Sequence, residues 1–489
     1  MENLAIGARK KITMDKYFSS VKVVVTNNIK DVVNVNVRAD ILSNEITNSF
    51  MVLTGKIYVD LVYVTDENNI ESSSNIIDFV ERQKFAYVLS DISATDNVNI
   101  EKFSFSGSEV VCEIAHKTEV FGIQKYLVGK FSDTEKDFVL NKKNFECISF
   151  VSAGEDRFVV AEEVESNLGN VAVLSNSAKL VITEIASAAN KIVIDGKVVI
   201  SSLYKDEDGV GECQKDIEFR QEIEVKTAAP TMRADALVRV TNVSVVPDKK
   251  DEKTVMSYVV DLYAKAYLFE DTVVETYDDV FSLKNEVVPT YDFLELSSED
   301  GYKFDSDMIM MQTDISCLDD FDDIVGVYMP KFEQVEFEDK GETVLINSKI
   351  SAVGLYRTSK GIEKLGLSYD VKFETDKDIS KEVSKIVPTI AVSAFKVKAG
   401  KDLEVSLSLG YKVLYEKTNL EKYVKNFELK HEKVQDDSAV KVYILKEDKS
   451  LFEVAKALNV RPEVIAEQNE VDDVFEAGQK IYIYSPLNI

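Results

Sequence analysis

Apolar and β-branched residues alternate with polar residues in three similar stretches of the chain, residues 52–63, 193–204 and 345–356. Each stretch contains a lysine that is followed seven residues later by a tyrosine, as Lys56 is followed by Tyr63. Such alternation predicts a strand with one buried face. A turn-forming residue, Asn68, Gly209 or Gly361, comes five residues after the tyrosine, so each stretch is predicted to begin a β-hairpin.

A second strand pattern follows each hairpin, at residues 111–121, 259–269 and 405–415. The hairpins recur at intervals of 141 and 152 residues, measured from Gly55 to Gly196 to Ser348. Because these intervals are domain-sized, the sequence predicts three β-rich repeats, over residues 12–147, 150–290 and 304–430. The third repeat is divergent: it has Ser348 where the others have glycine, and an acidic run at 319–323 is expected to be a solvated loop.

The pattern changes in the last part of the chain, where residues 440–486 predict a strand, two short helices and a closing strand. Leu451, Val454, Ala455 and Leu458 form one apolar helical face. We expect Asp448 to cap this helix, Asn459 to end it and Pro462 to open the second. The predicted fold class is therefore mainly β, with three tandem β-rich domains followed by a small α+β module of βααβ order.

The amino-acid composition disfavours several functional classes for this protein. The 489 residues carry a net charge of −28, which disfavours binding to nucleic acid. The four cysteines form no CxxC pair, as expected of thiols in a reducing compartment. No apolar run approaches the roughly 18 residues that span a bilayer, and no signal peptide is recognisable, so we expect a cytoplasmic protein without a transmembrane segment.

Catalytic and metal-binding patterns were not recognisable in the sequence. The two histidines, His116 and His431, have no Ser or Cys partner in a known motif, and we interpret them as structural or surface residues. Cys112 and His116 share one face of a predicted strand, but no further ligands accompany them. The glycines of residues 122–131 are wrongly spaced for a phosphate loop. We therefore predict a protein that is not an enzyme and uses no metal or cofactor.

The second repeat resembles a known domain. Residues 156–165 (DRFVVAEEVE) and 192–209 (IVIDGKVVISSLYKDEDG) are similar to the SPOCS domain of spore coat and spore envelope proteins in endospore-forming bacteria. The first and third repeats show the same resemblance more weakly. It implies β-rich domains that act in assembly and have no known catalytic activity.

The C-terminal module resembles a LysM domain at Tyr443, Asp448, Leu451, Ala455, Val460, Ile465, Asn469, Gly478, Gln479, Ile481 and Ile483. LysM domains usually bind N-acetylglucosamine-containing glycans in a groove between two loops. Glu447 stands where the family usually has glycine, and Lys449 where it has Thr or Ser, which favours a protein-binding groove instead. The candidate partner-binding residues are Glu447, Asp448, Lys449, Ser450, Gln468, Asn469, Glu470 and Val471.

Three SPOCS-like repeats followed by a LysM-like module resemble the SipL family of clostridial spore morphogenesis proteins. The resemblance implies a scaffold in the mother cell, at the forespore surface and in the spore coat. Its LysM module would contact the stage IV sporulation ATPase that forms the basement layer of the coat, and its repeats would contact other coat proteins. The alternative is a peptidoglycan-binding or N-acetylglucosamine-binding protein of the spore cortex or cell wall.

Overall fold

The computed structural model describes most of the chain. The described residues are 2–47, 49–67, 69–130, 137–166, 169–207, 209–250, 253–299, 302–318, 321–359, 361–378, 381–398, 402–415, 417–434, 440–469 and 474–484. The predicted turn residue Asn68 and two residues of the acidic run, Asp319 and Asp320, lie outside them. The predicted mainly β fold is confirmed, with two short helices near the C-terminus.

The first repeat is a sandwich of two antiparallel sheets. Its strands are β1 (Glu2–Thr13), β2 (Tyr17–Val24), β3 (Ile29–Thr47), β4 (Phe50–Thr65), β5 (Ile70–Lys84), β6 (Ser90–Ser106) and β7 (Glu109–Lys130). One sheet is the meander β3-β4-β5, and the other places β7 between β6 and the consecutive strands β1 and β2. Val23, Val59 and Ile114 are among the apolar residues buried between the sheets.

The second and third repeats have the same connectivity. The second repeat comprises β8 (Phe138–Ser166), β9 (Ala172–Ala188), β10 (Lys191–Asp206), β11 (Gly209–Glu224), β12 (Arg233–Lys250) and β13 (Lys253–Ser282). The third comprises β14 (Asn285–Glu299), β15 (Tyr302–Asp314), β16 (Phe321–Asp339), β17 (Thr343–Thr358), β18 (Gly361–Asp376), β19 (Lys385–Lys398), β20 (Asp402–Leu414) and β21 (Lys417–Glu432). Their meanders are β9-β10-β11 and β16-β17-β18, and their second sheets are β8-β13-β12 and β15-β20-β19.

The strands predicted from alternation are the central strands of these sheets. The three hairpin stretches form β4, β10 and β17, which are the middle strands of the meanders. The second pattern lies in β7, β13 and β20, which are the middle strands of the other sheets. The boundary predicted between residues 147 and 150 falls inside β8, a strand of 29 residues that extends beyond its sandwich.

A small sequence difference between the repeats has a clear structural cause. Gly196 pairs with Phe219 on the neighbouring strand, and a Cβ atom at Gly196 would lie 2.7 Å from the carbonyl oxygen of Val181 and 3.0 Å from the Phe219 ring. Gly55 is more crowded still, because a Cβ atom there would lie 2.6 Å from the Phe79 ring. In the third repeat Ser348 pairs with Val371, so no aromatic residue stands directly opposite this position. The Ser348 hydroxyl instead donates a hydrogen bond to the carbonyl oxygen of Gln334.

The three repeats meet around a common axis. Equivalent apolar residues from all three form one buried cluster, the axial core, which contains Val33 and Val62, Leu174 and Leu203, and Val325 and Leu355. Hydrogen bonds also join each pair of repeats. Asn36 donates to the Asn176 carbonyl oxygen (3.4 Å), the Val327 amide donates to Glu212 (3.2 Å), and Lys364 donates to the Val32 carbonyl oxygen. The repeats therefore form a closed arrangement in which each contacts the other two.

A second meeting place of the repeats is charged. Asp235 on β12 accepts a hydrogen bond from Arg9 on β1 (2.6 Å) and another from Lys412 on β20 (2.7 Å). Burial disfavours the charged carboxylate, but Lys412 and Arg9 outweigh that penalty and hold the pKa of Asp235 below its ordinary value. This charged triad contains one residue from each repeat, and all three side chains are less than one-fifth exposed.

Beyond the sandwiches, the long strands continue as a stalk of three antiparallel ladders. These are β1 with residues 119–130 of β7, residues 138–150 of β8 with 269–282 of β13, and β14 with β21. Their apolar faces bury a common cluster of Ile6, Ala8, Val128, Cys147, Val274, Leu294, Leu296 and Tyr423. The stalk thus joins the repeats a third time, and its free end carries the C-terminal module.

The C-terminal module has the predicted strand, helix, helix, strand order. It comprises β22 (Val440–Ile444), β23 (Lys449–Ser450), α1 (Leu451–Leu458), α2 (Pro462–Gln468), β24 (Val474–Phe475) and β25 (Lys480–Tyr484). β22 pairs with β25, and the short strands β23 and β24 pair with each other. Neither helix is long and apolar enough to cross a membrane, and this holds for all helices within the described ranges.

Candidate functional site

One face of the C-terminal module is anchored to the end of the stalk. Phe452 on α1 packs against Phe281 with ring centroids 5.3 Å apart, and Val139 and Leu283 join the same buried cluster. The predicted apolar face of α1 is present: Val454 and Ala455 are buried, and Leu451 packs against the cluster. Phe452 lies outside that predicted face, because it serves a contact between domains rather than the module's own core.

Polar contacts fix the orientation of this anchor. Lys456 forms an ion pair with Asp279 at 2.6 Å. Asn459 ends α1 in the left-handed conformation, as predicted, with φ of 53°. Its side chain donates to the Leu283 carbonyl oxygen (2.8 Å) and accepts from the ammonium group of Lys433 (2.7 Å). Burial and the nearby Lys456 lower the pKa of Lys433.

The first predicted groove loop is largely occupied by internal contacts. The prediction that Asp448 caps α1 is wrong: the helix begins at Leu451, so Ser450 is the cap and forms a reciprocal capping box with Glu453. Asp448 instead accepts a hydrogen bond from the Ala477 amide at 2.8 Å, which holds the turn before β25. Lys449 lies 3.5 Å from Glu447 in an ion pair, and of these two side chains Glu447 is the more exposed.

The described residues of the second predicted loop also make hydrogen bonds within the module. The amide group of Asn469 accepts from the Tyr482 backbone N–H (2.7 Å) and donates to the Tyr482 carbonyl oxygen (2.7 Å). Gln468 makes the same pair of contacts with Tyr484. These two side chains extend the edge of β25 as a strand would, which gives them a structural role. Glu470 and Val471, the remaining candidate residues, lie outside the described residues.

The two loops nevertheless come together. Ser450 pairs with Val474 across β23 and β24, so the segment after α2 returns beside the segment before α1. The structure therefore brings the described ends of both predicted loops to one side of the module, where Asp448, Ser450, Gln468 and Asn469 are hydrogen-bonded within the module.

The module exposes an apolar surface on its two-stranded sheet of β22 and β25. Val440, Val442 and Ile444 project from β22, with Tyr484 and Tyr482 directly opposite the first two on β25. These five side chains, the outer face, are between 38 % and 55 % exposed. Lys480 stands opposite Ile444 at one end. Sequence reasoning missed this face, although the period-two pattern of Val440, Val442 and Ile444 marks it.

A second cluster surrounds His116. No sequence motif pairs this histidine with a serine, and the fold supplies the partner. Its Nε2 atom lies 2.7 Å from the Ser19 hydroxyl, and its Nδ1 atom lies 2.6 Å from Asp96, on three neighbouring strands. Tyr17 stacks on the imidazole with ring centroids 4.1 Å apart. Since His116 is fully buried, these contacts satisfy both of its ring nitrogens.

The Ser19, His116 and Asp96 cluster has the connectivity of a hydrolase triad but a different backbone setting. Ser19 pairs with Ile114 inside the regular ladder of β2 and β7, whereas the nucleophile of α/β-hydrolases sits on a strained, exposed turn. The three residues are far apart in sequence, so no local motif reveals them. Within the described ranges, no group of three or more His, Cys, Asp or Glu residues is placed to hold a metal ion.

Comparison with known proteins identifies part of the second repeat. No curated protein and no solved structure matches the chain. Residues 171–247, which run from the start of β9 to near the end of β12, match the family model described as SipL, SPOCS domain. The expected resemblance of the second repeat is thereby confirmed, and this part of the chain is a SPOCS domain of the SipL type.

Proposed function

We propose that this protein is a non-catalytic assembly protein of the spore coat. Its three repeats would form a rigid scaffold for other coat proteins in the mother cell, at the forespore surface. The SPOCS match in the second repeat supports this function, and the common connectivity extends the argument to the repeats on either side. Four domains with the predicted divisions at 12–147, 150–290, 304–430 and 440–486 remain our proposal, and strands β1, β8, β14 and β21 each cross one of these divisions.

The C-terminal module, which we propose is a LysM domain, docks the stage IV sporulation ATPase of the coat basement layer. The single observation that carries this part of the proposal is the outer face of Val440, Val442, Ile444, Tyr482 and Tyr484. A face that binds a partner must be accessible. Phe452 anchors the module to the stalk through a different surface, so the outer face stays exposed. Apolar side chains flanked by two tyrosines suit a protein interface, in which tyrosines often dominate the binding energy.

The proposal is tested with the full-length chain, because deleting the module would also expose Phe281 and Leu283 on the stalk. Val442→Asp places a charge in the centre of the outer face and should abolish capture of the purified ATPase. Val246→Asp is the matched control, since Val246 on β12 is 53 % exposed against 54 % for Val442. Both variants should retain the wild-type melting temperature. Undiminished capture by Val442→Asp would exclude docking through this face.

A glycan-binding function of the cortex or cell wall is the second candidate. It is favoured by Tyr482 and Tyr484, two exposed aromatic side chains on one strand face that could stack on sugar rings. Saturable binding of chito-oligosaccharide that is lost in Tyr482→Ala would replace the docking proposal. Asn469 is unsuitable as the probe for either function, because its replacement would release β25.

A further inference from the structure

All three repeats line one cavity of about 310 Å³, the axial cavity, next to the charged triad. Its walls come from β1 and β7 of the first repeat, β9, β12 and β13 of the second, and β15, β19 and β20 of the third. An apolar cavity of about 150 Å³ is large enough for benzene, so this one admits a molecule of about twice that size. Its volume lies at the lower end of the range for ligand sites.

The wall is mostly apolar but carries several charged side chains. Apolar side chains from the second and third repeats form most of the surface, including Ile182, Val238, Phe304 and Val387. Arg9, Lys11 and Lys412 line the same cavity, together with Asp235 and Glu119. A ligand that fits both parts of the wall needs an apolar body and a charged end.

The charges around the cavity favour an anion. Arg9 and Lys412 share the carboxylate of Asp235. Lys11 lies 3.0 Å from Glu119, and Lys385 lies 4.0 Å from that same carboxylate, so these two lysines share one carboxylate. Burial, followed by the neighbouring Lys11, lowers the pKa of Lys385. An anionic group beside Lys11 and Lys385 would offset this local excess of positive charge in a chain whose net charge is −28.

We propose that the axial cavity binds a small anionic amphiphile, a carboxylate attached to a short aliphatic chain. The carboxylate lies at the lysine side, near Lys11 and Lys385, and the aliphatic chain lies against Val387 and Phe304. Such a ligand contacts all three repeats at once, so its binding stabilises their closed arrangement over any opened one.

Octanoate is the probe, with octanol, octylammonium and acetate as matched controls for charge, sign of charge and chain length. Isothermal titration of the full-length protein should give saturable binding of octanoate and a rise in melting temperature. The three controls should bind at least tenfold more weakly. Absence of saturable octanoate binding, or equal binding of octanol, would overturn the proposal.

Two variants locate the ligand. Lys385→Gln removes the more distant cation while leaving Lys11 on Glu119, and should weaken octanoate binding about tenfold. Val387→Trp fills the cavity and should abolish binding, whereas Val273→Trp on the exposed stalk surface should leave it unchanged. Full octanoate affinity in both cavity variants would place the ligand elsewhere and contradict the proposal. Should Val387→Trp fail to fold, Lys385→Gln alone decides.

Discussion

The axial core and the charged triad both join the three repeats, but they are built in opposite ways. Val62, Leu203 and Leu355 of the axial core occupy the same position in each repeat, seven residues after Gly55, Gly196 and Ser348. Arg9, Asp235 and Lys412 lie on β1, β12 and β20, which are not equivalent strands. Apolar contacts between equivalent residues would suit any order of the repeats. The triad can form only in one order, so we infer that it specifies which repeat occupies which place.

The largest predicted effect is the loss of the triad's single carboxylate. Asp235→Ala leaves Arg9 and Lys412 close together without their shared counter-charge, and should lower the free energy of unfolding by about 3–5 kcal/mol. Urea denaturation followed by circular dichroism measures the change. Asp271→Ala is the control, because it breaks an exposed pair with Arg233 and should cost below about 1 kcal/mol. Equal effects of the two substitutions would show that the triad contributes no more to stability than an exposed ion pair.

Substitutions at equivalent positions of the axial core should destabilise the protein by similar amounts. Leu203→Ala and Leu355→Ala each leave a cavity among buried residues and should cost about 2–4 kcal/mol. Because the two leucines belong to one cluster, their double variant should depart from additivity in the same denaturation assay. If one leucine proved dispensable while the other did not, the axial core would not be the symmetric element described above.

A third prediction compares equivalent positions directly. Gly196→Ser forces a side chain against the Val181 carbonyl and the Phe219 ring, and should cost about 1–3 kcal/mol. The double variant with Phe219→Val recreates the pairing of the third repeat and should recover part of the loss. Ser348→Gly should cost only about 1 kcal/mol, through one hydrogen bond and added chain entropy. A larger loss from Ser348→Gly than from Gly196→Ser, measured by thermal unfolding, would reverse this explanation.

The smallest predicted effect is a pH dependence at one link between repeats. Glu212 and Lys364 occupy equivalent positions but carry opposite charges, and each contacts the next repeat. Burial raises the pKa of Glu212 to about 7. Because the pKa of Glu212 is raised on folding, its protonation stabilises the folded state. This contribution is complete below the unfolded pKa of about 4.3 and is lost as the pH rises toward 7.

The melting temperature should therefore fall more steeply between pH 5 and 7 in the wild type than in Glu212→Gln, which stays neutral. Parallel melting curves over that range would show that Glu212 is ionised in the folded protein. Lys364→Gln serves as the control at the equivalent position, since its substitution should not alter the slope in this range.

The sequence predicted the central strands well and the meeting places of the repeats poorly. β10 and β13 are buried by neighbours on both sides, so their alternation is strong and was recognised. Asp235 and Lys412 are polar residues in ordinary strand patterns, and only the fold brings them together. In the module, the apolar face and the C-terminal cap of α1 are local signals, whereas Phe452 depends on Phe281, far away in the chain. The hydrogen bonds from Gln468 and Asn469 to β25 could not be predicted, because they leave no mark in a single sequence, and partner binding by the groove residues stays a prediction.

The three repeats are segments of one polypeptide, and this has a consequence for how their closed arrangement depends on abundance. Three separate subunits would assemble only above a threshold concentration set by their affinity. Tethered segments instead experience one another at an effective concentration of about millimolar, however few molecules the cell contains. The same tether allows each position to carry its own residue, as Arg9, Asp235 and Lys412 do. A homotrimer, with three identical chains, would have to repeat any such cluster at three equivalent places.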